Sequence, residues 1–133
     1  MSLVKWVELQ QRGDERGYLT IIEARKNIPF DIKRIYFLTS LSSDMPRGFH
    51  AHHQLEQLAV CVAGSCEVLL DNGYKKERVK LQGPDRALRI EPKVWHEMYG
   101  FSKDCVFLVV ASEVYDEADY IRDYQLFLEQ VKS

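Results

Sequence analysis

Pro46-Arg47-Gly48-Phe49-His50-Ala51-His52-His53 is the stretch on which the reading of this chain turns. In an extended strand, successive side chains point to opposite faces. His50 and His52 therefore share one face and His53 takes the other, at the surface or just behind the site. Glu56 has the parity of the pair and joins its face if the strand runs on unbroken. Strand spacing puts the two imidazoles roughly 6–7 Å apart at the backbone. Arg47 and Gly48 lead into the strand, where a planar guanidinium suits a diphosphate clamp. Two imidazoles on one interior face fit either a proton-transfer pair or a metal site, because histidine titrates near neutrality and also ligates metals. The residues alone leave both readings open.

Outward from this stretch, β-branched and aromatic residues mark strands at 18–22, 33–38, 58–62, 66–70, 76–81, 87–90 and 105–111. Turn residues punctuate them, and Asp71-Asn72-Gly73 reads as a tight hairpin turn of residues that tolerate positive φ. Closely spaced strands of this kind predict an all-β sandwich or barrel. The period changes near the C-terminus. From Asp116 as N-cap, Tyr120, Tyr124, Phe127, Leu128 and Val131 recur at helical spacing, which predicts one amphipathic helix used for core or interface contacts. His96, after Pro92-Lys93-Val94-Trp95, is a third histidine candidate. Tyr36 alternates with Ile35 and Phe37, so one face of that strand is buried, and the spacing does not say which.

Composition narrows the class. At 133 residues the chain reads as a single domain over 1–133, with 46% apolar and 29% charged residues. Eighteen basic and twenty acidic residues give a net charge of −2, so no global field attracts nucleic acid or an anionic membrane. The N-terminus lacks a signal-peptide pattern and no apolar run approaches a membrane span, which makes the cytoplasm the expected location. Cys61, Cys66 and Cys105 each sit in apolar runs without a Cys-x-x-Cys pair and read as small buried hydrophobes.

Gly48-x-His50-x-His52-x-x-x-Glu56, with Gly64 and then Pro92-x-x-x-His96, resembles the two motifs of a cupin, which implies a double-stranded β-helix (jelly-roll) barrel with a C-terminal α-helix. The second motif lacks the usual glycine before its histidine and the asparagine after it, a departure that speaks against a metal. Arg47-Gly-Phe-His50 is similar to the segment carried by sugar-nucleotide epimerases of the same fold. Nearly the whole chain resembles the dTDP-4-keto-6-deoxyglucose 3,4-ketoisomerases. The stretches that carry this are Arg47-Gly-Phe-His-Ala-His52, Leu55-Glu-Gln57, Gly64-Ser-Cys66, Leu70-Asp-Asn-Gly73, Val94-Trp-His-Glu-Met98 and Tyr115-Asp-Glu-Ala-Asp-Tyr-Ile-Arg122.

That resemblance implies a cofactor- and metal-independent isomerase that moves a ketone from C4 to C3 through an enediol. Its substrate would be a dTDP-linked 4-keto-6-deoxyhexose and its product would feed an aminotransferase in dTDP-aminosugar biosynthesis. It implies His50 as the C3 base and His52 as the shuttle between O3 and O4. Tyr36 would hydrogen-bond the sugar and Arg47 the diphosphate. It also implies a homodimer with exchanged N-terminal strands, in which Arg16 reaches the neighbouring site. Arg16 before Gly17, together with His96 after Trp95, resembles the members that yield dTDP-3-keto-6-deoxy-D-galactose rather than the gluco product. Two other readings compete. One is a metal-dependent cupin oxygenase or isomerase with His50, His52, Glu56 and His96 as ligands; the other is a non-catalytic nucleotide-sugar-binding cupin.

Overall fold

The computed structural model describes residues 1–132. In chain order the strands are β1 (Trp6–Glu8), β2 (Gln10–Asp14), β3 (Gly17–Ile21), β4 (Arg34–Leu38), β5 (Arg47–His52), β6 (Gln57–Ala63), β7 (Ser65–Asp71), β8 (Lys76–Gln82), β9 (Arg86–Ile90), β10 (Trp95–Tyr99), β11 (Val106–Ala111) and β12 (Tyr120–Ile121). A single 3-10 turn, Glu117–Asp119, precedes β12, and helix α1 (Tyr124–Lys132) ends the described chain.

Two five-stranded sheets, ordered β1-β9-β6-β11-β4 and β12-β5-β10-β7-β8, form the body, and β2 with β3 makes a separate hairpin. Every pairing between these strands is antiparallel, and the two sheets do not close on each other through backbone bonds. Between the sheets lies one core, with Ala59, Cys61 and Phe107 from the first and Val68, Leu70, Leu81 and Met98 from the second. Burial of such side chains away from water is the dominant favourable term in holding the layers together. A second apolar layer, Ile28 and Phe30 on Leu58, Val60 and Val110, covers the outside of the first sheet. Helix α1 covers the outside of the second, with fully buried Phe127 against Ala51, Trp95 and Ile121. The all-β expectation, with one helix at the C-terminal end, holds.

Three local expectations are corrected. The helix does not begin at Asp116. That residue caps the short 3-10 turn by accepting from the Ala118 N–H at 3.1 Å, and Asp123 caps α1 instead. Between them Tyr120 and Ile121 pair with the exposed edge of β5, because an edge strand leaves backbone groups open to a partner. The β7–β8 hairpin closes through four residues, 72–75, not through a tight two-residue turn. Its loop is organised by Asn72, whose side chain accepts from the Tyr74 and Lys75 N–H groups. Strands β1, β2 and β10 also lie outside the sequence-based assignment. The three cysteines are buried and free, as expected.

Candidate active site

The site is built on β5 and its two neighbours. His50 faces His96 of β10 directly across the ladder, and His52 faces Tyr120 of β12. Strand parity sets His50 and His52 on one face, and antiparallel register adds one ring beside each. The result is a cluster of four rings. Centroids are 5.1 Å apart for His50–His52, 4.6 Å for His50–His96 and 4.3 Å for His52–Tyr120. A bulge in β10 beside His96 and positive φ at Gly48 and Phe49 bring the strands into this register. Gly48 is required: a Cβ there would lie 2.9 Å from the His96 carbonyl oxygen and 3.0 Å from the Met98 sulfur.

Each imidazole has one nitrogen committed to an acceptor. Nδ1 donates to the Gly48 carbonyl in His50 (3.1 Å), to the Asp119 carboxylate in His52 (3.2 Å) and to the Val94 carbonyl in His96 (3.1 Å). These partners only accept, so all three rings carry hydrogen on Nδ1 and keep Nε2 as a free lone pair. In His52 that Nε2 is buried without a partner among the described residues. Burial keeps the cluster neutral. It is the main cause that lowers His50, takes His52 to about 4 and takes His96 to about 3, with repulsion from His50 second for the latter two.

His50 lies in a cavity of about 510 Å³, a size typical of small-ligand sites, with Tyr36, Arg34, Arg47, Tyr120 and Arg122 around it. Tyr36 points inward, which settles the face that the spacing left open. Its hydroxyl accepts from Gln57 Nε2 at 3.0 Å, leaving its own O–H to donate into the cavity. Burial raises the Tyr36 pKa and preserves that donor. Arg34 and Arg47 have no carboxylate partner among the described residues, and Arg34 Nε is buried without an acceptor. Two uncompensated guanidiniums at one cavity favour an anion with paired oxygens.

Of the residues singled out from sequence, His50, His52, His96, Tyr36 and Arg47 are brought together. Arg16 is not among them within one chain: it sits on the β2–β3 hairpin, largely exposed and paired with Asp14 at 2.7 Å. Glu56 is also elsewhere. Strand β5 ends at His52, and the following turn sends Glu56 to Arg89 at 2.6 Å. The four-ligand set therefore loses its carboxylate. The three histidines still offer one ring nitrogen each within 4.8 Å of one another, a set that a transition metal would accept. Sequence reading missed Arg34, Asp119, Tyr120 and Arg122. Arg34 was accessible, since it shares strand parity with Tyr36; the others were hidden by the helix assigned there.

Clustered imidazoles beside guanidiniums that lack carboxylate partners suit proton transfer on an anionic substrate, and the chain's relatives are isomerases of nucleotide-linked keto sugars. The family model described as FdtA (WxcM-like, C-terminal) matches residues 2–132, and the chain belongs to that family. It is 51% identical over 123 residues, 92% of this chain and 88% of the relative, to the TDP-4-oxo-6-deoxy-alpha-D-glucose-3,4-oxoisomerase of Aneurinibacillus thermoaerophilus. A 3,4-ketoisomerase from Helicobacter canadensis superposes with a TM-score of 0.96 at 41% identity over 100% of both chains. A mutant of the 3,4-ketoisomerase QdtA from Thermoanaerobacterium thermosaccharolyticum, in complex with TDP-4-keto-6-deoxyglucose, gives 0.96 at 39% identity over 99% of this chain and 96% of its own.

Proposed function

We propose that this protein converts dTDP-4-keto-6-deoxy-D-glucose to dTDP-3-keto-6-deoxy-D-galactose through an enediol. The observation that carries the reading is the set of three packed imidazoles, each with Nδ1 tied back and Nε2 free, of which His50 opens on a cavity that holds guanidiniums without carboxylate partners. The relatives' substrates support it.

The chemistry needs a base of near-neutral pKa at C3 and a second group for the oxygens. His50 Nε2 takes the C3 proton as the C3–H bond breaks, and the electron pair enters the new C3–C4 double bond while O4 becomes anionic. His52 takes the O3 proton and delivers it to O4. His50 then returns its proton to C4, leaving the carbonyl at C3. Tyr36 donates a hydrogen bond to the developing oxyanion, the type of preorganised stabilisation that lowers such barriers. Arg47 and Arg34 hold the diphosphate. His96, beside His50, biases the face from which C4 is protonated and so gives the galacto product.

The protein acts as a homodimer with exchanged N-terminal strands. The β2–β3 hairpin presents Tyr18 and Leu19 to solvent, and the outer face of β4 does the same with Ile35 and Phe37, apolar surface suited to a second copy. Exchange would carry Arg16 to the partner's cavity. The product supplies an aminotransferase, since a 3-keto sugar is the acceptor that amination at C3 requires, and the enzyme works in the cytoplasm.

Incubation with dTDP-4-keto-6-deoxyglucose and NMR of the product tests reaction and stereochemistry together. A 3-keto galacto product is expected. A gluco product overturns the stereochemical assignment, and no conversion overturns the whole reading. Activity that survives a chelator is expected as well; its loss favours the metal-dependent reading.

A further inference from the structure

We propose that Asp119 is the positioning residue of the proton relay, holding His52 Nδ1–H so that Nε2 alone both takes the O3 proton and returns it to O4. This rests on the ketoisomerase reading above. Three histidines meet at the site, yet only one is backed by a charge. His50 and His96 donate to backbone carbonyls, whereas His52 donates to a carboxylate. Asp119 is tied in firmly. One oxygen accepts from the Gln54 N–H (2.9 Å), the other from the Leu55 N–H (3.2 Å) as well as from His52, and its peptide carbonyl accepts from the His53 N–H (2.9 Å). The turn after β5 is thus organised around this carboxylate, which is 19% exposed.

The need for a charge there follows from the order of events. Once His50 holds the C3 proton it is an imidazolium, and its ring centre lies 5.1 Å from that of His52. For the relay, the His52 Nε2–H bond forms as O3–H breaks and then breaks as O4–H forms. Between these events two adjacent rings are cationic, in a site that penalises charge by burial. A carbonyl acceptor would orient the ring equally well without offsetting that charge. The carboxylate does both, the orienting role that partners of functional imidazoles commonly play. Proton abstraction at C3, which uses His50, has no such requirement.

The Asp119→Asn variant tests this in D2O, with NMR following two rates: exchange of the C3 hydrogen of the keto sugar, and formation of the 3-keto product. The expected result is a kcat for product about 10–100-fold below wild type. KM should be unchanged and C3 exchange within about threefold of wild type, so the ratio of exchange to product rises. Asp119→Glu, which keeps the charge, should recover part of the loss. If the Asn variant does not fold in a thermal melt, the same ratio is read on Asp119→Glu, where the displaced charge should still raise it. Turnover within twofold of wild type, or both rates falling together, overturns the proposal. Wild-type protein that neither exchanges nor converts the sugar overturns the ketoisomerase reading instead.

Discussion

The same inter-sheet space holds two triads of titratable groups, and only one of them is equipped for chemistry. At the β5–β10 end stand His50, His52 and His96. Toward the other end of β6 and β7 stand Cys61, Cys66 and Cys105, with sulfurs 3.9 Å apart for Cys61–Cys66 and 3.8 Å for Cys61–Cys105. The shifts seen at Cys61 and Cys105 are opposite in sign to those of the imidazoles. Burial pulls the imidazoles down, while the Cys66 sulfur and burial push the Cys61 thiol far up, and burial pushes Cys105 to about 12. The difference lies in what each group faces. Each imidazole has one nitrogen oriented by an acceptor and the other left free, and His50 opens on a cavity. The thiols face one another and the apolar core, where they act as filler. Burial alone does not make a site; an oriented partner and open space do.

The contrast can be broken most sharply at His50. His50→Ala should lower kcat by about a thousandfold while dTDP binding stays nearly intact, because the base acts only in the transition state. Steady-state kinetics with calorimetric titration of dTDP checks this, and lost binding with an unchanged kcat contradicts the assignment.

Acid should reveal the imidazole triad next. The folded-state pKa values of His52 and His96, about 4 and about 3, lie below the unfolded value of 6.5. Unfolded chains therefore bind more protons in that interval. The stabilisation is complete above about pH 6.5 and is lost as pH falls toward the folded values, a change on the order of 3 kcal/mol for each of the two histidines between about pH 7 and 4. Denaturant melts between pH 7 and 4 measure it, and a His96→Asn variant should flatten the slope.

A smaller effect is expected at the cavity mouth. Arg47→Ala should raise KM about tenfold with little change in kcat, as loss of one charge-assisted contact to a diphosphate implies. An unaltered KM removes Arg47 from that role. Smallest of all in activity is the thiol triad. Cys61→Ala should cost about 1–2 kcal/mol of stability through a small cavity and leave kcat within twofold. A large loss of turnover there would erase the distinction between the two ends.

Much of this was legible from the residues in order. The shared face of His50 and His52 follows from a two-residue period that any extended chain obeys, and the buried character of the cysteines from the apolar runs that hold them. Resemblance carried the assignment further, to His96, Tyr36 and Arg47. Asp116 to Tyr120 was misread because apolar residues at helical spacing look alike whether a segment coils or, as here, adds two residues to an open strand edge.

Local periodicity thus determined which side chains share a face of their own strand. Partnership across strands was decided only by tertiary structure. His96 opposite His50, Tyr120 opposite His52, Asp119 behind His52 and Glu56 turned away to Arg89 all depend on register and on where β5 stops. Register is set by many distant contacts at once, and no short stretch of chain carries that information.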